Sequence, residues 1–344
     1  MTAQAIRQTP LINGDQVMFI WEGQGTPSLI GDFNYWLMER APIPFQRVSE
    51  GRWEVTLTLP RDAYLEYGLL IDGQRTHDPR NPHRIEDGFG NLNSVFWMPD
   101  WVDTPLAMEQ PGVRRGQITT HTVDGQRYVV GNTRTIHLYR APVDLPTPLL
   151  VVFDGSGYLE RAKLATIVDN LTAQGRIAPI SMAMIDPGGI GRTVEYACSD
   201  ATVAFLMYCV LPLARERLHL LDVAAAPGQY SIMGASMGGL MSLYTALRAP
   251  EVFGRVLSES GAFRGNHLYY RSVIHDLLTY FPRQQVKVWM DCGLHEWYID
   301  PNREMHALLK RQGYEVTYVE HTSGHNYPSW RNHVWRGIEA LFGK

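Results

Sequence analysis

Apolar and polar positions along the chain follow two rhythms, and the change between them falls near residue 116. Over the first hundred residues the apolar positions gather into short runs, "QVMFIWEG", "TPSLIGDF", "GRWEVTLTLP", "AYLEYGLLIDG" and "NSVFWMP", separated by Gly, Pro, Asp and Asn. Short runs rich in β-branched and aromatic residues, split by turn formers, predict strands, and this many in succession predict a small β-sandwich. Trp21, Phe33, Trp36, Trp53, Tyr67 and Trp97 are expected mostly to fill its core. Residues 100–115 have no periodicity, carry Pro105 and Pro111 and end in Arg114-Arg115, which reads as a linker.

From Gly116 onward strands alternate with helical stretches. The strand candidates are "QITTHTV", "TIHLYRA", "PLLVVFD", "PISMAMID", "YSIMGA", "GRVLSES", "VKVWMD" and "EVTYVEH", the first two forming a hairpin that turns at "DGQRY". Helical periodicity follows the third candidate at Leu159 to Gln174, the fourth at about Ala201 to Arg217, and then the fifth, seventh and eighth. Alternation of this kind implies an eight-stranded, mostly parallel sheet with helices on both faces. The chain therefore divides into residues 1–107, with a linker to about 115, and residues 116–344.

Composition narrows the class. An apolar share of 45% and a charged share of 19% in 344 residues describe a globular protein able to bury two cores. A net charge of -4 without a basic cluster gives no footprint for nucleic acid. The start "MTAQAIRQTPLINGDQ" lacks the basic and apolar regions of a signal peptide, and the longest apolar run, Val203 to Leu213, is too short to span a bilayer. The expected location is the cytoplasm, away from membranes, and Cys198, Cys209 and Cys292 are expected as buried thiols.

The chemistry centres on "YSIMGASMGGLMSLYTAL", which holds G-x-S-x-G around Ser236. A serine on a sharp strand-to-helix turn needs neighbours without side chains, which Gly234 and Gly238 supply, and the N-terminus of the following helix faces any oxyanion formed there. Met237 N–H is the first oxyanion donor. This order resembles the α/β-hydrolase fold, in which the nucleophile follows strand five, the acid strand six or seven, and the histidine strand eight. After the eighth strand "HTSGHNYPSWRNHVW" places His325 in a glycine-flanked loop, whereas His321 sits on the strand end and His333 in a helix. After the seventh, Glu296, Asp291 and Asp300 are all candidate acids; the spacing Gly293-x-x-Glu296 favours Glu296, and Asp300 reads as a helix cap. Ser156 N–H in "DGSGY" is the candidate second oxyanion donor, each donor being worth roughly 3 kcal/mol in the transition state. No H-E-x-x-H, P-loop or dinucleotide fingerprint is present, so neither a metal nor a cofactor is expected. "DPGGIGRT", Asp186 to Thr193, reads as a rim loop.

Two resemblances sharpen this picture. Residues 14–99, through "GDFNYW", "GRWEVTLTLP", "YGLLIDG", "HDPRNP" and "FGNLNSVFWMP", resemble immunoglobulin-like early-set modules of the glycogen-binding type. Residues 116–344 resemble the esterase family that includes enterochelin esterases, esterase D and mycolyltransferases, through "VVFDG", "GRTVEY", "GASMGGLMSLYTALRAPEVFGRVLSESGAF", "CGLHE" and "NREMHALLKRQGYEVTYVEHTSGHNYPSWR". The front module and the Arg192/Glu195 pair are most similar to enterochelin esterases, which cleave catecholate siderophore esters in the cytoplasm. The resemblance implies a triad of Ser236, His325 and Glu296, with Arg192 and Glu195 bracing the site. Tyr158, Arg192, Trp297 and Tyr327 are candidates for substrate contact. Arg114, Arg115, Arg192 and Arg264 would serve an anionic catecholate only if the fold gathers them. The expected partner is a small-molecule or glycan-linked ester, with a homodimer open. Feruloyl or acetyl-xylan ester hydrolysis, acyl transfer, and glycan binding on an inactive hydrolase scaffold remain the alternative readings.

Overall fold

A computed structural model describes residues 8–38, 40–87, 90–264 and 273–343. Residues 1–7 of the N-terminal stretch and Phe89 of "FGNLNSVFWMP" lie outside the described residues. The chain forms two compact units. The first comprises Met1–Asp103 with Gly293–Ile299 and Glu320–Ser329; the second comprises Thr104–Cys292, Asp300–Val319 and Trp330–Lys344.

Among the described residues, ten strands build the first unit. In chain order they are β1 (Leu11–Asn13), β2 (Gln16–Glu22), β3 (Pro27–Gly31), β4 (Ile43–Pro44), β5 (Gln46–Ser49), β6 (Arg52–Thr58), β7 (Tyr64–Ile71), β8 (Gln74–Thr76), β9 (Arg84–Glu86) and β10 (Leu92–Trp97). One sheet runs β1-β2-β6-β5 and the other β4-β3-β7-β10-β9, with β8 on β7. Between them Phe19, Phe33, Tyr67 and Phe96 pack ring to ring, Phe19 and Tyr67 edge-on at 4.9 Å. Phe33 and Tyr67 fill the core as expected, but Trp21, Trp36 and Trp53 are half-buried and Trp97 is 43% exposed. Trp21 and Trp53 pair across the two inner strands β2 and β6 and pack partly against the core, covering it with their apolar bodies while the remainder stays wet.

The "HDPRNP" segment is explained by one buried hydroxyl. Tyr67 Oη donates to Asp78 Oδ2 at 2.7 Å and accepts from Asn81 Nδ2 at 3.1 Å, while Asn81 Nδ2 also reaches the Val95 carbonyl. Tyr67 is fully buried, so this polar cluster survives inside the sandwich only because each member is satisfied by another.

In the second unit the strands are β11 (Gln117–Asp124), β12 (Thr133–Arg140), β13 (Leu149–Phe153), β14 (Ser181–Ile185), β15 (Tyr230–Ala235), β16 (Phe253–Glu259), β17 (Lys287–Gly293) and β18 (Glu315–His321). They form one sheet in the order β11-β12-β14-β13-β15-β16-β17-β18. The β11–β12 pair is antiparallel, as is β12–β14, and the sheet is parallel from β14 through β17. Every residue of β13, β14 and β15 is buried, the pattern of strands covered by helices on both faces. The fold is thus α/β, with an eight-stranded sheet as expected.

The helices are α1 (Leu164–Ala173), α2 (Arg192–Tyr196), α3 (Asp200–Phe205), α4 (Leu211–Arg217), α5 (Met237–Arg248), α6 (Val273–Tyr280), α7 (Ile299–Arg311) and α8 (Tyr327–Phe342). The single helix expected over Leu159 to Gln174 starts later, because Lys163 adopts φ 55° and breaks the path from the preceding turn at Gly157–Arg161. The helix expected at Ala201 to Arg217 is continuous through a wider turn at Leu206–Val210. The short α2 and α6 were not expected from periodicity; with five and eight residues both are shorter than the stretch over which a helical period shows. Among the described residues no single helix is long and apolar enough to cross a membrane.

The linker stretch is pinned along most of its length. Asn170 Nδ2 donates to the carbonyls of Leu106 and Met108, each at 2.8 Å, Thr104 N donates to Asn332, and Gly116 N donates to Asp169. Polar side chains on helices, two amides and the Asp169 carboxylate, here do the work that periodicity does elsewhere, and periodicity therefore does not reveal it.

Removing the Tyr67 hydroxyl leaves Asp78 and Asn81 short of a partner in a dry site. Tyr67→Phe is therefore expected to lower stability by about 1–3 kcal/mol, read as a shift in the urea midpoint; an unchanged midpoint would show the cluster to be dispensable.

Candidate active site

Ser236 lies between β15 and α5 with φ 59° and ψ -123°, a conformation that costs a non-glycine residue on the order of 1–3 kcal/mol. The surrounding backbone holds it there. Ser236 N donates to the Glu259 carbonyl at 2.8 Å, and its own carbonyl accepts from Leu240 N and Ala262 N. A Cβ at Gly234 would lie 2.7 Å from the Gly238 carbonyl carbon, so the strand can pass this close to the helix only without a side chain. Met237 is the first residue of α5, and its N–H belongs to the donors that a helix cannot use internally.

The loop after β13 is fixed just as tightly. Asp154 has φ 58°, and its carboxylate accepts from Arg192 Nε at 2.7 Å and Nη2 at 2.6 Å. Asp154 Oδ2 also lies within 3.4 Å of where a Cβ on Gly238 would stand, which places the Arg192–Asp154 pair beside the first turn of α5. Gly155 packs on the Met184 backbone so closely that a Cβ would come within 2.5 Å. Ser156, the candidate second oxyanion donor, gives its N–H to Asp186 Oδ1 at 2.7 Å and its hydroxyl to Asp186 Oδ2 at 2.9 Å, with His137 Nε2 3.0 Å from the same hydroxyl.

Glu195 is buried and accepts from Arg134 and from Val130 N, while Thr202 Oγ1 donates to its carbonyl. Tyr158 is fully buried, its hydroxyl donating to Glu259 Oε2 at 2.6 Å. Its position is that of a core strut. Three of the four arginines considered for an anionic substrate are tied to separate carboxylates, Arg115 to Glu109, Arg192 to Asp154 and Arg264 to Glu304.

Within the first unit, Glu296 and His325 come together. Glu296 is fully buried; its Oε1 accepts from Gly293 N and its Oε2 meets His325 Nδ1 at 2.5 Å. The G-x-x-E spacing has a physical reason: Gly293 lets the chain run against Ser323, where a Cβ would stand 2.1 Å from the Ser323 carbonyl oxygen. Leu294 N then donates to the His321 carbonyl at 2.8 Å, stitching the two loops. Trp297 and Tyr298 flank the imidazole, with ring centroids at 4.8 and 5.5 Å. Tyr327, at the start of α8, is half-buried. Of the other acids, Asp291 is buried in β17 opposite Glu259, and Asp300 is exposed in the first turn of α7 and paired with Arg303. His321 is buried against Ser329.

Sequence reasoning passed over Asp154, Asp186, His137 and Arg134, although Asp154 and Asp186 stand inside quoted segments. It also passed over Asp32, whose carboxylate is buried in the first unit between Trp36 Nε1 and Glu66 N, each at 2.7 Å. An acid in a glycine-led turn reads as solvent-facing, and only tertiary packing shows otherwise.

His295 neighbours the acid and is held neutral. Burial and the nearby positive Arg40 push its imidazole down to about 4. Such a group contributes fully above its unfolded value near 6.5, and its contribution declines as pH falls toward 4 because only the unfolded chain takes up the proton. Between roughly pH 7.5 and 5 the wild type should therefore lose about 2 kcal/mol more stability than His295→Gln. Denaturant titrations at the two pH values test this, and equal losses would contradict it.

With this geometry in hand, comparison with known proteins gives a consistent answer. Residues 129–339 match the family described as "Putative esterase". The chain is 28% identical over 237 residues to an iron(III) enterobactin esterase of Dickeya dadantii, covering 64% of this chain and 54% of that protein. It is 26% identical over 326 residues to an iron(III) salmochelin esterase of Escherichia coli, covering 85% and 78%. Its fold is similar to the crystal structure of enterochelin esterase from Shigella flexneri, with a TM-score of 0.76 at 18% identity over 98% of this chain and 96% of that one. The chain belongs to the esterase family, whose members are hydrolases acting on ester bonds.

Proposed function

We propose that this chain is a serine carboxylesterase in which Ser236 is the nucleophile, His325 the general base and Glu296 the acid that orients it. The observation that carries the reading is the His325 Nδ1 bond to a fully buried Glu296, which supports Nε2 as the nitrogen that transfers the proton. Chain order supports it, since Ser236, Glu296 and His325 follow β15, β17 and β18 in turn.

In this mechanism Ser236 Oγ attacks the ester carbonyl carbon while His325 Nε2 takes its proton. The oxyanion forms beside Met237 N–H. The tetrahedral intermediate collapses as the imidazolium returns the proton to the leaving alcohol, giving an acyl-enzyme on Ser236. Water, deprotonated by His325, then attacks the acyl carbon, and collapse of the second intermediate frees the acid and restores Ser236. Ser156 N–H serves as the second donor when it exchanges Asp186 for the oxyanion.

The substrate that the relatives favour is a catecholate siderophore ester, and the proposed contacts for its aryl groups are Trp297 and Tyr327, with Arg192 on the rim. Tyr158, having no exposed surface, is assigned to bracing Glu259 beneath the nucleophile turn.

Hydrolysis of p-nitrophenyl acetate should fall by about 10⁴-fold or more in kcat for Ser236→Ala, and by about 10³–10⁴-fold for Glu296→Gln, which keeps the shape but not the charge. Equal rates in wild type and Ser236→Ala would overturn the assignment. Ranking kcat/KM across a cyclic catecholate triester, methyl ferulate and acetylated xylan tests the substrate class: the triester should lead, and a lead by either plant-wall ester would replace it.

A further inference from the structure

The turn at Asp32–Leu37 in "GDFNYW" is the most strained segment among the described residues. Tyr35, Trp36 and Leu37 have φ of 58°, 51° and 69°, three consecutive left-handed residues of which none is glycine. Each of these residues brings its Cβ close to the following carbonyl oxygen and is disfavoured, so something must over-determine the run. Asn34 contributes by accepting from Gly31 N and donating to the carbonyls of Leu29 and Ala41. Arg40 donates to Tyr35 Oη and lies over its ring, and Arg75 lies over the Trp36 ring. Asp32 ties the turn to the sheet: its Oδ1 accepts from Trp36 Nε1, folding the turn back on itself, and its Oδ2 accepts from Glu66 N in β7.

The far side of that carboxyl is occupied by the base loop, in the same compact unit. A Cβ on Gly324 would lie 2.1 Å from Asp32 Cγ and from Oδ2, and 2.5 Å from Oδ1, so Gly324 rests directly on the carboxyl plane. His325 is the next residue. Thr322 Oγ1 donates to the Asp62 carbonyl at 3.3 Å, a second tie between this loop and the sandwich.

We infer that Asp32 is a positioning residue for the ester-cleaving site: its carboxyl is the seat on which Gly324 lies, and so sets the height at which His325 meets Glu296. The sandwich is then a working part of the site, and the left-handed turn is the strain accepted to bring a carboxyl there. Burial and the neighbouring Glu66 and Glu296 push the Asp32 carboxyl well above the usual range. The inference rests on the reading of His325 as the base.

The test is a double-mutant cycle on kcat and KM with p-nitrophenyl acetate, run in the full chain. Gly324→Ala forces a methyl group into the carboxyl and should lower kcat by about 100-fold with KM little changed, the scale of a 1 Å displacement of a catalytic group. Asp32→Ala should lower kcat by about tenfold, because the seat is gone and the loop is loose. In Asp32→Ala/Gly324→Ala the added methyl has room, and kcat should recover about tenfold over Gly324→Ala alone. A double mutant at the product of the two single effects, or an Asp32→Ala enzyme with wild-type kcat, would overturn the inference; a contact that only held the sandwich together would lower the melting temperature without this sign of coupling.

A second readout needs no turnover. The rate at which diethyl pyrocarbonate modifies His325, mapped by mass spectrometry, should rise several-fold in Asp32→Ala and fall back toward wild type when Asp32 is retained and Ser236 alone is changed. This readout judges the seat even if Ser236 were shown not to be the nucleophile, so the two readings fail separately. An unchanged modification rate in folded Asp32→Ala would contradict it.

Discussion

Ser236 can occupy its turn because Gly234 and Gly238, two residues before and after it, carry no side chains to collide. Gly234 and Gly238 are in backbone contact, and the Glu259 carbonyl receives the Ser236 N–H. From that constraint the remaining features of the second unit follow. β15 must sit beside β16 to present Glu259, the sheet must be covered on both faces to bury these strands, and α5 must start at Met237 for its first N–H to be left outside the helix. A backbone conformation costing a few kcal/mol persists because a large, well-packed core holds it.

The first unit solves a different problem, that of holding an imidazole still. His325 is fixed by Glu296 at Nδ1, flanked by Trp297 and Tyr298, and backed through Gly324 by the Asp32 carboxyl. Each restraint acts on a different degree of freedom: the carboxylate sets the tautomer, the rings limit tilt, and the backbone contact sets height. The polar groups involved are buried and bonded, which makes the arrangement specific and also costly to disturb.

Much of this was legible in the sequence where local chemistry determines structure. The central strands β13, β14 and β15 could be read from nearly unbroken apolar runs, since a strand covered on both faces has no polar alternation to blur it. The G-x-S-x-G and G-x-x-E spacings could be read because each rests on a glycine whose absence of a side chain is a local requirement. What could not be read depends on partners distant in sequence. Asp32 and Gly324 are 292 positions apart, and nothing near either residue announces the other. Ser156 looked like an unoccupied donor, yet Asp186 takes its N–H, and Tyr158 looked like a binding-site aromatic, yet the fold encloses it. The aromatics of the sandwich were expected mostly in its core, yet Trp21, Trp36 and Trp53 are half-buried and Trp97 is exposed, a difference set by packing against strands distant in sequence.

The central claim is that a covalent acyl-enzyme forms on Ser236. Labelling the full chain with a fluorophosphonate and locating the adduct by peptide mass spectrometry tests it most directly. The account predicts one adduct per chain, on Ser236, with loss of esterase activity in proportion to labelling; an adduct elsewhere, or full activity in a chain fully labelled at Ser236, would contradict it.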